Sequence, residues 1–254
     1  NCEMKIILNN TYQKRFVNIF LFMMFSVYPL FFHNYFYDIV TCKFILFVIL
    51  TILLLISMVF FMPSDTSNET VSIQQQEKSS RWYAVHLRMF TNRSDIFIIL
   101  LFVVNMISVF LSYDKLTSIV GTDGRNAGLI TIFCYVVLYF ILSRKYQMNE
   151  QFFLYLFAGS VPVSILGILN YLDIDFLGFY NGLDYSQRAF YFSTLGHANV
   201  YASYFSLILP AVYIFYLRKK GLKNTILYGC IFVINVLGLI VSGCESAGII
   251  LFVT

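Results

Sequence analysis

An all-α, polytopic transmembrane helix bundle is the fold class this sequence predicts, and three observations carry it. Of 254 residues, 59% are hydrophobic and only 12% charged, with a mean hydropathy of +0.75. A soluble domain carries about 25% charged residues and could not bury so much apolar surface in one core. Next, uncharged runs recur along the chain at close to the ~20 residues a helix needs to cross ~30 Å of hydrocarbon. These runs are continuous, unlike the alternating ~10-residue segments of a transmembrane barrel. Last, Lys and Arg gather in alternate connections between the runs, the bias that keeps a loop cytoplasmic.

In chain order, spans are expected near 16–36, 43–62, 96–113, 127–143, 152–170, 199–217 and 225–241, with an eighth opening at 248 and incomplete at 254. Seven full spans and the start of an eighth make one transmembrane domain over 1–254, without internal repeat. Lys5, Lys14 and Arg15 precede the first run, and no small-residue cleavage site with a soluble segment follows it. It therefore reads as a span and not as a removed signal peptide. The 63–94 connection, opening PSDTSNET and continuing SIQQQEKSSR, is polar enough for a flexible cytoplasmic loop. Its back half, RWYAVHLRMF, reads as an amphipathic helix on the inner leaflet. Segment 171–198 is the longest outer loop. Because the sequence opens at Asn1 and stops at Thr254 within an apolar run, the expectation is of a longer protein.

With the N-terminus inside, 13 of the 17 basic residues fall on inner segments, and Lys43, Lys115, Arg125 and Arg188 remain outside. Acids counted the same way give +7 inside and −3 outside, matching the net charge of +4. The predicted location is a cytoplasmic membrane, multi-pass, N-terminus inside. The basic residues lie between apolar runs and form no cluster interleaved with aromatics, so the positive charge points to topology and to no nucleic acid partner. The five cysteines are widely spaced, with no CxxC pair, and read as packing residues. No metal and no cofactor are expected. The spans hold no Lys, Arg or Asp at mid-bilayer depth, where ion-coupled transporters carry coupling residues.

The candidate chemistry lies on the outer segments. In SYDKLTSIVGTDGRNAGLIT, Gly121, Gly124 and Gly128 bracket Arg125 at the mouth of a helix. Glycines let a backbone approach a ligand, a helix N-terminus favours anions, and a guanidinium can grip a phosphate through two parallel hydrogen bonds. The alternative is a Gly-rich turn whose arginine reaches headgroups. The loop YLDIDFLGFYNGLDYSQRAFYFSTLGHA offers Asp173, Asp175, Asp184, Arg188 and many aromatic rings, a surface suited to sugars or simply to the interface. Asp173 and Asp175 form a DxD, a metal-holding pattern of cytoplasmic sugar-nucleotide chemistry, here on the outer side. Gly196, His197 and Asn199 stand at the entrance of the sixth span. His197 is a candidate acid or base, although a lone histidine is more often structural. Glu245, within VSGCESAGII, is the remaining acidic candidate.

Four segments taken together, HNYFYDIVTCKFILF, GTDGRNAGLIT, STLGHANVYASYFSLILP and VSGCESAG, resemble the O-antigen ligase and O-antigen polymerase superfamily of bacterial cell-envelope enzymes. GTDGRNAGLIT is similar to the family's Gly-x-x-x-Arg-x-x-Gly-Leu segment. STLGHANV is similar to its Gly-x-x-x-Asn helix entrance, where Asn-Pro-Asn commonly replaces His197, Ala198 and Asn199. Cys244 and Glu245 depart from the pattern, standing near where an arginine is often found. The resemblance implies a metal-independent glycosyltransferase of polysaccharide biosynthesis. It would transfer a polyprenyl-diphosphate-linked oligosaccharide to a glycan acceptor on the outer face. Arg125, Arg188, Gly124, Gly128 and Asn199 would be substrate-binding. It also implies a large outer loop nearer the C-terminus with further Arg and His. The rival expectations are a polytopic transporter or flippase of glycolipid or polysaccharide, and a non-catalytic scaffold.

Overall fold

The computed structural model describes residues 2–33, 38–61, 93–122, 124–175, 177–178, 180, 184, 188, 191–244 and 248, with side chains from residue 12 onward. Among the described residues the α-helices run α1 (Cys2–Phe22), α2 (Ile39–Phe60), α3 (Arg93–Leu111), α4 (Lys115–Val120), α5 (Leu129–Lys145), α6 (Glu150–Tyr171), α7 (Ala198–Arg218) and α8 (Leu222–Val241). The one small sheet among the described residues is a hairpin in which Tyr191–Phe192 (β1) pairs antiparallel with Gly196–His197 (β2). The all-α class holds.

Among the described residues, five helices, α2, α3, α6, α7 and α8, are long and apolar enough to cross a membrane. Their outward faces are apolar: Phe110 and Leu111 are 73% and 82% exposed, Leu207 73% and Phe60 81%. Such surface would drive aggregation in water and is satisfied by lipid. The 17 residues of α5 would span about 25 Å at 1.5 Å per residue. The first helix begins earlier than the predicted 16–36. It carries Lys5, Lys14 and Arg15 within its length, then passes through a π turn (Met23–Val27) and a 3-10 turn (Tyr28–Leu30). Pro29 lacks the N–H that would continue the ladder, and Phe31 is already extended. Most of the 63–94 loop and the start of the eighth span beyond 248 lie outside the described residues.

The chain divides into two compact units, 1–16 with 51–146 and 17–50 with 147–254. In the first, the Gln13 amide donates to the Phe61 carbonyl at 2.9 Å, and Tyr12 and Phe16 stack near Phe61. Asp95, in the first turn of α3, is buried. It accepts from Tyr139 Oη at 2.9 Å and from Arg144 Nη2 at 3.1 Å, which ties the start of α3 to the end of α5. Arg144 keeps part of its surface exposed, so one partner of the pair retains water while the other is satisfied by protein.

The second unit has the true core. Leu156, Phe157 and Val163 of α6, Tyr201, Phe205, Ile208 and Leu209 of α7, and Tyr228 and Leu239 of α8 pack together. At its centre Ser164 donates to Asn235 Oδ1 at 2.8 Å, and Asn235 Nδ2 donates to Ser160 at 3.1 Å. Where apolar attraction between helices is weak, such bonds and small residues hold the helices in register. Gly159 allows the closest approach, because a Cβ there would collide with the Phe25 carbonyl. At one end of this unit Lys219 donates to both Glu150 oxygens at 2.6 Å, joining the end of α7 to the start of α6.

Candidate functional site

In the first unit the candidate site is the segment between α3 and α5, at the end opposite the Asp95–Arg144 pair. Asp114 caps α4, accepting from the Thr117 amide at 3.2 Å and its hydroxyl at 2.6 Å. Those two bonds hold its carboxyl below the usual range. Gly121 then ends α4 at φ +102°, the Thr122 carbonyl accepts from the amides of Arg125 and Asn126, and Gly128 caps α5. A Cβ on Gly121 would collide with Asn126 and Ala127 backbone, and one on Gly128 with the Ile119 carbonyl. Two of the three glycines therefore serve to close the loop on itself. Gly124, at φ +80° with open space around it, forms the tip beside an exposed Arg125. Asn126, at φ +49°, is buried. Its carbonyl accepts from Thr131 Oγ1 at 2.5 Å, and its Nδ2 finds no hydrogen-bond acceptor among the described residues. The arrangement is a rigid knob with one arginine on its summit, able to offer a planar fork of donors to an anion.

In the second unit the other candidates surround the entrance of α7. His197 is the N-cap: its Nδ1 accepts from the Asn199 amide at 3.1 Å. This assigns the imidazole a helix-end role. Asn199 is exposed, and its Oδ1 accepts from Cys244 Sγ at 3.1 Å. Glu245 lies outside the described residues. Asp175 accepts from the Tyr180 amide at 2.8 Å, which gives that half of the DxD a turn-closing contact. The Arg188 guanidinium stands 5.3 Å from the Tyr180 ring centre. The Tyr180 phenol is pushed up to about 12, first by burial and then by the Asp175 and Asp173 carboxylates. Arg125 belongs to one unit, and Arg188, His197 and Asn199 belong to the other.

Lys43 is a correction to the sequence reading. Expected on the outer face as the residue opening the second span, it is buried one turn inside α2. Its ammonium donates to the Thr194 carbonyl at 2.5 Å and the Pro29 carbonyl at 3.2 Å, with the Tyr28 ring 5.9 Å away. The same turn is knitted further. Thr194 Oγ1 donates to Pro29 O at 2.8 Å, Ser193 Oγ donates to Val163 O at 2.7 Å, and the Ser193 amide donates to Asn170 Oδ1 at 3.1 Å. Ser193 holds φ +54°, a conformation these bonds sustain. Lys43, Asn170, Ser193 and Thr194 thus set where the α7 entrance sits. A lysine four residues into an apolar run was the only sequence signal for this; its partner 151 positions away left none.

Compared with known protein families, curated proteins and solved structures, the chain matches none of them.

Proposed function

We propose that this chain is a metal-independent membrane glycosyltransferase of the polymerase or ligase type. It would act on polyprenyl-diphosphate-linked oligosaccharide at the outer face of a cytoplasmic membrane. The observation that carries the reading is Arg125: a loop closed by Gly121 and Gly128 presents an exposed guanidinium. Cations are scarce on an outer face, and a bidentate arginine is suited to a leaving diphosphate. In transfer, an acceptor hydroxyl attacks the anomeric carbon, the bond to the diphosphate breaks, and the new charge on the diphosphate is what Arg125 neutralises. The resemblance of GTDGRNAGLIT and STLGHANV to the O-antigen ligase and polymerase segments supports the same reading.

The topology proposed with it has seven spans, α1 and α5 joining the five most apolar helices, and a cytoplasmic N-terminus. Two pairs fit the alternation of helix ends within each unit. Asp95–Arg144 and Glu150–Lys219 each join helix ends that the charge bias assigns to the inside, while the Arg125 knob and the α7 entrance lie at the opposite ends of their units.

The test is glycan transfer by the full-length protein with defined lipid-linked donor and acceptor. A bidentate contact to a leaving diphosphate is worth about 3 to 4 kcal/mol at the transition state, so Arg125→Ala should lower the rate by about two to three powers of ten. Arg125→Lys keeps the charge, loses the fork and should fall in between. Transfer at the parental rate in Arg125→Ala overturns the reading. Movement of donor across vesicles without a new glycosidic bond would replace it with a flippase.

A further inference from the structure

Among the described residues of the second unit, three grooves can be compared, and one differs from the others in its chemistry. A groove of about 700 Å³ between α7 and α8, lined by residues such as Tyr213, Ile226 and Phe232, and one of about 420 Å³ between α6 and α8 carry no charged side chain. The third, about 890 Å³ between α6 and α7, has apolar walls from Phe153, Leu207, Pro210 and Ile214 and ends at Arg218 and Lys219.

We propose that this third groove is a binding site for one anionic phospholipid, its phosphate on Arg218 and an acyl chain along the Leu207–Ile214 wall. Charge complementarity names the occupant. The segment RKKGLK sets Arg218, Lys219, Lys220 and Lys223 together at this end, against Glu150, whose carboxylate is already taken by Lys219. Arg218 lines the groove, is exposed and forms no ion pair with any described residue, which leaves its guanidinium donors open to a phosphate. Length fits as well. The twelve residues of helix from Leu207 to Arg218 span about 16 Å over eleven rises of ~1.5 Å, close to the ~15 Å depth of one leaflet of a ~30 Å hydrocarbon core. Pro210 lies in the wall and cannot donate to the Ser206 carbonyl, which leaves that carbonyl without its helical partner where the chain would lie. A basic mouth on an apolar interhelical groove at headgroup level recognises a phosphodiester joined to a hydrocarbon tail, and neither alone. The site is at the end of the unit away from the α7 entrance, so it stands or falls independently of the transfer reaction.

The experiment is native mass spectrometry of the full chain in detergent, titrated with phosphatidylglycerol, phosphatidylcholine or soluble glycerol phosphate. Phosphatidylglycerol should bind about tenfold more tightly than phosphatidylcholine, the scale of one charge-assisted contact. Arg218→Gln should remove that preference. Ile214→Trp, which fills the groove, should weaken both lipids while leaving the lipid-free melting temperature at the parental value. Equal affinity for the two lipids overturns the proposal, as does a preference that survives Arg218→Gln. Competition by glycerol phosphate at the same concentration as the lipid would show a headgroup site without the groove and overturns it too. If Arg218→Gln proves poorly folded, Arg218→Lys decides, with retained but reduced preference expected and an unchanged one contrary.

Discussion

His197 uses the lone pair of Nδ1 to cap α7, and that contact needs an acceptor rather than a titrating group. Asparagine is among the best N-cap residues and supplies a carbonyl oxygen at a similar place. His197→Asn should therefore leave glycan transfer within about threefold of the parent, since general acid–base catalysis by a positioned imidazole is worth about 10²- to 10⁴-fold. A loss on the order of a hundredfold at normal protein level would make His197 part of the chemistry. Lys43 is the opposite case, an amine taken out of water and held by two carbonyls and a ring. Its burial cost is met by contacts from two remote segments, which makes it a residue that fixes geometry. Arg125 has neither kind of partner among the described residues, and its proposed role rests on the loop that presents it.

At the level of elements, the second unit is held by small residues where helices touch and by polar side chains that choose the register. A Cβ at Gly238 of α8 would collide with the Tyr201 hydroxyl of α7 and press on Ser164 of α6. Overpacking of this kind costs about 1–3 kcal/mol, and here the obstructing atom is a single hydroxyl. Gly238→Ala should lower thermal stability in detergent, and Tyr201→Phe should recover a large part of the loss. The two substitutions would then be strongly non-additive, as neighbours sharing one space are. Additive losses would mean that the helices shift apart and the contact does not set their spacing. Gly167 repeats the device, with a Cβ there meeting the Phe192 ring and fixing the hairpin against α6.

For the whole molecule, sidedness is the property on which the functional reading rests. A cysteine introduced at Ser72 in a cysteine-free background should be protected from an impermeant thiol reagent on intact cells, and one at Asn181 should react. This expectation rests on the 13-to-4 split of basic residues between the two sides. Labelling at Ser72 with protection at Asn181 would invert the topology, put Arg125 in the cytoplasm, and remove the outer-face transfer reaction.

The sequence by itself determined that the chain is helical and built for lipid, because hydrophobic run length is set by bilayer thickness and needs no knowledge of neighbours. It located α2, α3, α6, α7 and α8 to within a few residues for the same reason, and it named Arg125, from the glycines around it, and the α7 entrance as candidates. It misplaced the start of the first helix, where charged residues within a continuous helix hid its beginning. Burial of Lys43 could be decided only by tertiary structure, since Pro29 and Thr194 become its partners when α1, α2 and the 193–195 turn come together. The same holds for the use of Gly121 and Gly128 in closing their loop, which composition alone left equal to ligand approach. It holds again for the charged mouth of the α6–α7 groove, whose residues lie on two helices. Run length and capping are written within a few turns of chain, whereas partner choice depends on which distant segments share a space.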